Sequence, residues 1–442
     1  MKFFRSLYLR NLLFLVLAMN VVLFILAFVF PFLIAIAKII FLIIMALVAG
    51  DILSVFISGK IFGNRQTPDR LSNGDANEIK IHLENHYSFP VRISIIDEIP
   101  FQFQLRDFEI NDILPPRSEK TVRYFLKPVK RGEYSFGALN IYVQGLIGFV
   151  SRRFIFDQGK MVEVFPSFLQ MRKYELLAIS NRLSELGIKK IRKIGNNMEF
   201  EQIKEYVQGD DMRSINWKAT ARKGNFMVNQ FQDEKSQQVY CLIDKGRSMK
   251  MPFEGMTLLD YAINASLVIS SIALKKDDKA GLITFSSKIA SFLPADKKSG
   301  QINKILQILY KEKTAYLESD SEMLYANIRN RINHRSLLLL FTNFETLSSM
   351  KRQLRHLRKL AADHLLVVVF FENTELKVLL EKRAANTEDV YLKTIAEKFA
   401  FEKKMIVKEL QKYGIHSILT APQNLTVNTI NKYLEIKARN LI

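Results

Sequence analysis

The sequence predicts an α/β chain: a doubly wound domain and a β-sandwich-like module carried on an N-terminal two-helix transmembrane hairpin. Three patterns predict it. An almost unbroken apolar run fills Asn11–Ser58, period-two alternation governs about 70–168, and strands alternate with helices from about 237 onward. The chain has 442 residues, 64 Lys+Arg against 44 Asp+Glu, a net charge of +20, and 48% hydrophobic residues. This composition excludes a disordered or collagen-like chain and leaves ample material for buried cores. The single cysteine, Cys241, excludes an intrachain disulfide framework and a multi-cysteine zinc site, and it fits a reducing compartment.

The hairpin comes first in the chain. Asn11–Ser58 carries only Lys38 and Asp51 as charges. As helix it would measure about 72 Å, and one span needs about 20 residues, so two spans fit. Pro31 marks the turn, giving helices over about 11–30 and 32–56. A signal peptide would have a far shorter apolar core and a cleavage site. Lys2, Arg5 and Arg10 precede the run and Lys60, Arg65 and Arg70 follow it, while the turn has no charge. Positive flanks on both sides place both ends, and the rest of the chain, in the cytoplasm. Lys38 either snorkels to the far interface or faces the partner helix.

Residues of about 70–168 read as short strands. Glu78–Glu84, Val91–Ile95 and Thr121–Leu126 alternate, and Asn73-Gly74-Asp75, Pro115-Pro116, Arg131-Gly132 and Phe136-Gly137 punctuate them. Such spacing suggests a small antiparallel sandwich of immunoglobulin-like type. His82 and His86 lie in or just beyond one strand, and two histidines without a third ligand read as surface residues.

A basic connecting segment, 169–236, contains one distinctive run, Gly209 to Arg222, with the only tryptophan, Trp217. It is either a partner-binding loop or a packed loop. In the packed loop, Trp217 is buried while Asp211, Arg213 and Arg222 make internal ion pairs. A solitary tryptophan is usually well buried, which favours the packed loop.

From 237 to 442 the alternation defines the doubly wound domain. Val239–Ile243, Gly281–Phe285, Leu337–Leu340, Leu365–Phe371 and His416–Leu419 read as strands. Leu258–Leu274, apolar nearly all round, reads as a buried helix, with further helices at 302–310, through Tyr391–Leu410 to a cap at Gly414, and at about 425–438. Fully apolar strands alternating with helices mean a mainly parallel sheet covered on both faces. Ligands in such sheets sit at carboxyl ends of strands. That singles out Asp244–Met249 and Thr342–Glu345. A carboxylate and hydroxyls there can bind a hard cation such as Mg²⁺.

Asp244-x-Gly246-x-Ser248 resembles the metal-ion-dependent adhesion site of von Willebrand factor type A domains, usually Asp-x-Ser-x-Ser with a later Thr and Asp. Together with Gly-Asp-Asp-x-Arg-x-Ile-Asn-Trp at 209–217, it resembles the bacterial domain-of-unknown-function 58 family, across nearly the whole chain. The resemblance implies a membrane-anchored von Willebrand factor A-like protein of the bacterial inner membrane. It further implies an adaptor, not an enzyme, working with a MoxR-type AAA+ ATPase in assembly, chaperone-like or stress functions. It implies a metal site at Asp244, Ser248 and Asn343, and a signature of Asp211, Arg213, Asn216, Trp217 and Arg222. The sequence departs from the adhesion site at Gly246, where a serine is expected, and at Asn343, where an aspartate is expected. The middle-loop hydroxyl is open among Thr314, Ser319 and Ser321. Mg²⁺ is the cofactor such a degenerate site would take; otherwise Asp244 caps the next turn or pairs with Arg247.

Other functions have less support. The chain lacks a phosphate-binding Gly-x-x-x-x-Gly-Lys-Ser/Thr loop, His-Glu-x-x-His and Gly-x-Ser-x-Gly. The alternatives are a hydrolase with an unrecognised strand-end site, or a basic domain binding anionic lipid or nucleic acid. Basic clusters lie at 189–193 and 351–359 without a helix-turn-helix, zinc-finger or RNA motif. Residues 1–58 account for +3 of the charge, leaving +17 on a body held beside an anionic membrane, so nucleic acid is not expected.

Overall fold

The computed structural model describes residues 5–179, 198–208, 210, 212–233, 236–381, 384, 386–439 and 441. The chain divides into two compact units, Met1–Phe165 and Pro166–Ile442.

In the first unit, helices Asn11–Leu26 and Leu33–Ile57 pack on each other. The first ends four residues short of the expected boundary. The backbone turns over through 27–32, around Pro31, whose missing N–H cannot continue a helix. Lys38 is exposed, not turned to the partner helix. Among the described residues, Leu33–Ile57 and Leu258–Lys275 are long and apolar enough to cross a membrane; the latter is buried in the second unit's core.

The alternating stretches form strands as expected: Asn77–Asn85, Val91–Asp97 and Glu119–Leu126. Their inward residues, including Ile79, Ile81, Leu83, Ile93, Ile95 and Val122, share one core. A five-stranded sheet and two three-stranded sheets surround it. Two strands fall outside the expected module. Ile61–Gln66 pairs antiparallel with Asn77–Asn85, and Leu7–Leu9 pairs with Val150–Phe156. Arg65, counted among the positive flanks of the apolar run, is buried and paired with Asp97.

The second unit is mixed α/β. Its six-stranded sheet contains β1 Gln238–Asp244, β2 Lys279–Phe285, β3 Ile289–Asp296, β4 Leu337–Phe341, β5 Leu365–Phe371 and β6 His416–Thr420. The order is β3-β2-β1-β4-β5-β6. All neighbours are parallel except β3, which folds back antiparallel on β2. Sequence periodicity missed β3 because its residues are mostly half-buried at an edge. Alternate residues of β1 feed two cores. Val239, Cys241 and Ile243 face helices Leu258–Lys275, Gln301–Lys311 and Leu425–Ala438. Tyr240 and Leu242 face Ser321–Arg331, Leu347–Asp363 and Thr387–Lys412. Consecutive strand residues point to opposite faces, so an unbroken apolar run is what a doubly covered strand needs.

The segment 198–233 is not a loose connection. Met198–Glu205 and Met227–Asp233 form an antiparallel hairpin, and helix Trp217–Lys223 lies between them in sequence. The basic cluster 189–193 lies outside the described residues. The 351–359 cluster sits on Leu347–Asp363, where Arg358 lies over the Tyr413 ring at 4.4 Å.

A strand-end cleft around Asp244

The chain leaves β1 to β2 on one side and returns to β4 on the other, so the switch point lies above the ends of β1 and β4. Asp244 ends β1; Thr342 and Asn343 follow β4. Asp244 is buried and ties three loops together. Its Oδ1 accepts the Gly246 N–H at 2.7 Å and a hydrogen bond from the Ser319 hydroxyl; its Oδ2 accepts from Thr342 Oγ1 at 2.7 Å. Burial pushes its carboxyl above the ordinary range, while those three bonds oppose the shift. It therefore caps the following turn and does not pair with Arg247, whose guanidinium meets Glu318 at 3.2 Å.

Of the three hydroxyl candidates, Ser319 is the one whose hydroxyl donates to Asp244. A Cβ at position 246 would lie 2.2 Å from Ser319 Oγ, so Gly246 makes room for it. Ser248 lines the cleft and offers its backbone carbonyl to Asn343 Nδ2 at 3.5 Å. Asn343 Oδ1 accepts from Lys403 Nζ at 2.7 Å. Burial pulls that ammonium down to about 8, with Glu345 opposing.

Asp244, Ser248, Ser319 and Asn343 floor an open cleft of about 480 Å³ with both charge signs on its walls: Glu318, Glu322 and Glu345 against Arg247 and Arg352. Asp320 caps Ser321–Arg331 through the Glu322 and Met323 amides. Thr346 caps Leu347–Asp363 through the Ser349 amide.

The resemblance to an adhesion site raises the question of a divalent cation, and the residues do not suit one. The single floor carboxylate already accepts on both oxygens. Where a second acid would stand, Asn343 holds a lysine ammonium. A hard cation needs carboxylate charge and free oxygen ligands, and here a fixed cation stands beside them instead.

Sequence reading missed Thr342 as a partner of Asp244 and missed Lys403 altogether. Lys403 carried a signal. It falls at i+4 from Phe399 and i−3 from Ile406, a charge on an otherwise apolar stripe.

The signature residues lie elsewhere. Asn216 caps Trp217–Lys223, its Oδ1 accepting from the Ala219 N–H at 3.0 Å and its Nδ2 donating to Asn229 at 2.8 Å. Trp217, expected to be buried, is 67% exposed, with Met212, Val207 and Phe226 also exposed. The short helix satisfies its caps without using the indole for packing, so the rule that solitary tryptophans are core residues fails here. Arg222 is exposed in the last turn. Asp211 and the side chain of Arg213 lie outside the described residues. In the other unit, His82 Nε2 lies 3.7 and 3.6 Å from the Glu84 and Glu119 carboxylates and His86 Nε2 lies 3.4 Å from Glu84, so the two histidines gather with two glutamates at the surface.

The second unit is thus a mixed α/β body whose parallel strands end in a polar, carboxylate-floored cleft. Residues 202–390 match the family model described as "Protein of unknown function DUF58", which bears out the family resemblance carried by the signature run. The match takes in the exposed tryptophan and the cleft floor. The chain is 22% identical over 184 residues to the uncharacterised protein YeaD of Bacillus subtilis (strain 168), covering 40% of this chain and 45% of that relative. The chain therefore spans less than half of that relative's length. Among solved structures, the conserved hypothetical protein BatB from Bacteroides thetaiotaomicron aligns with TM-score 0.30 at 11% identity, over 46% of this chain and all of that one. A CARDB domain from Pyrococcus furiosus aligns with TM-score 0.18 at 18% identity, over 25% and 91%. Neither alignment is close enough to bear on function.

Proposed function

We propose that this chain is a membrane-anchored interaction protein whose strand-end cleft docks a protein partner, and that its second unit is a von Willebrand factor A-like domain. The observation that carries the proposal is the cleft itself. Its floor carboxylate is consumed by structural hydrogen bonds, while its walls offer exposed charges of both signs. Such a surface suits recognition of a polar protein face more than turnover of a substrate, because the buried acid is engaged by its neighbours. The β3-β2-β1-β4-β5-β6 order supports the A-like reading. Exposed Trp217, on the signature helix, supports a partner contact there too, since solvent-facing tryptophans are enriched where proteins meet.

The partner that the family resemblance implies is a MoxR-type AAA+ ATPase. The apolar hairpin would anchor the chain in the bacterial inner membrane with both units cytoplasmic, following the basic flanks Arg5, Arg10 and Lys60. Pull-down from detergent extracts with and without ATP tests the partnership. Enrichment of the ATPase in either condition is expected, and absence in both refutes it.

A further inference from the structure

An acid in the long apolar helix holds a loop of the first unit's five-stranded sheet, beside the bonds that Arg152 and Tyr87 donate to the Val55 carbonyl. Asp51 is buried inside Leu33–Ile57. Its Oδ1 accepts the Ile147 N–H at 3.0 Å, and its Oδ2 accepts the Phe149 and Val150 N–H groups at 2.9 and 3.0 Å. Gly145 permits this approach, because a Cβ there would lie 2.1 Å from Asp51 Oδ1. Gly148 holds φ +89°, which a side chain would strain. Phe149 and Val150 then pack with Leu13, Ile44, Val48 and Ile52 of the two hairpin helices.

Depth follows from helix geometry. Asp51 lies 18 residues past Leu33, about 27 Å along the axis at 1.5 Å per residue, against a hydrocarbon layer about 30 Å thick. Phe149 and Val150 share a buried cluster with Ile44, which lies about 10 Å nearer the start of the helix. Irregular backbone at the depth of Asp51 must have its polar groups satisfied, and Asp51 accepts from the Ile147 and Phe149 amides of the loop and from the first strand amide, Val150. Beside them, Leu146 is 64% and Ile147 39% exposed.

We propose that the Gly145–Phe149 loop is a second membrane anchor, with Leu146 and Ile147 inserted into the acyl edge of the bilayer beside the hairpin. This rests on the proposed membrane reading of the hairpin. The loop holds the sheet against the lipid surface and fixes how the first unit stands on the membrane.

The test is lipid-depth quenching on the full chain in nanodiscs. A Cys241→Ser background carries one polarity-sensitive probe at Leu146→Cys, Leu42→Cys or Ile113→Cys. Leu42 is an exposed hairpin residue; Ile113 is exposed on the far edge strand of the same five-stranded sheet. The probes at 42 and 146 should emit blue-shifted from an apolar surrounding and be quenched by spin-labelled acyl chains, and the probe at 113 should show neither effect. Quenching at 42 with 146 behaving like 113 overturns the second anchor and leaves the hairpin reading intact. No quenching at 42 overturns the membrane reading itself. Equal quenching at all three sites also overturns the proposal, because the loop would then be no different from the rest of the sheet.

Discussion

Replacing Asp244 by alanine removes the one acceptor that links the β1 end, the Ser319 loop and the β4 end. Opposing terms set the magnitude. The buried Gly246 N–H loses its partner, at about 1–3 kcal/mol, and two hydroxyls lose an anionic acceptor, at about 1 kcal/mol each. Against this, a buried carboxylate that burial already disfavours is removed. The net expectation is a loss of about 2–4 kcal/mol, or roughly 5–10 °C in the melting of the second unit. Asp244→Asn keeps the shape and one acceptor oxygen, and Thr342 Oγ1 can turn to accept from the new amide. Its cost should stay below about 1 kcal/mol. The assay is thermal unfolding of the full chain in detergent, paired with hydrogen exchange of β1 and β4 amides to localise the effect. If Asn destabilises as much as Ala, the negative charge itself is in use, and Asp244 does more than tie three loops by hydrogen bonds a neutral amide can replace.

Two further outcomes follow from the same site. Gly246→Ala should cost about 1–3 kcal/mol through overpacking against Ser319. Adding Ser319→Ala should recover about 1 kcal/mol of that in a double-mutant cycle, whereas strict additivity would show that the two positions do not compete for space. Lys403 titrates near 8 when folded and near its ordinary 10.5 when unfolded. Between those values the unfolded chain binds the proton that the folded chain has released, so stability should rise with pH across about 8–10.5, by on the order of 2 kcal/mol relative to Lys403→Met. A flat difference between the two proteins over that range would place Lys403 in solvent.

Much of this architecture is legible in the sequence, for identifiable reasons. Strands β1, β4 and β5 are apolar on both faces, which only a doubly covered parallel strand requires. The helix Leu258–Lys275 is apolar nearly all round because it is buried nearly all round. Asp244 stands out because a charge ends such a strand. The rest depends on contacts between distant positions. Leu7–Leu9 is too short to show a period, and it becomes a strand because Val150–Phe156 offers it an edge. Ser319 reaches Asp244 from a loop 75 residues away, and only the Gly246 vacancy hints at it. Asp51 looked like a stray charge in a membrane run until its three amide donors were in place. Trp217 misled because composition reports the rarity of a residue and not the direction in which it points.

The central proposal, that the strand-end cleft is the docking face, is tested most directly by photo-cross-linking in cells. A photoreactive residue replaces Arg247 or Arg352, both exposed on the cleft walls, or Ile113 on the first unit as a reference. Adducts from 247 and 352 containing a MoxR-type ATPase, and none from 113, are the predicted result. Adducts absent from both cleft positions, or equally abundant at 113, would contradict it.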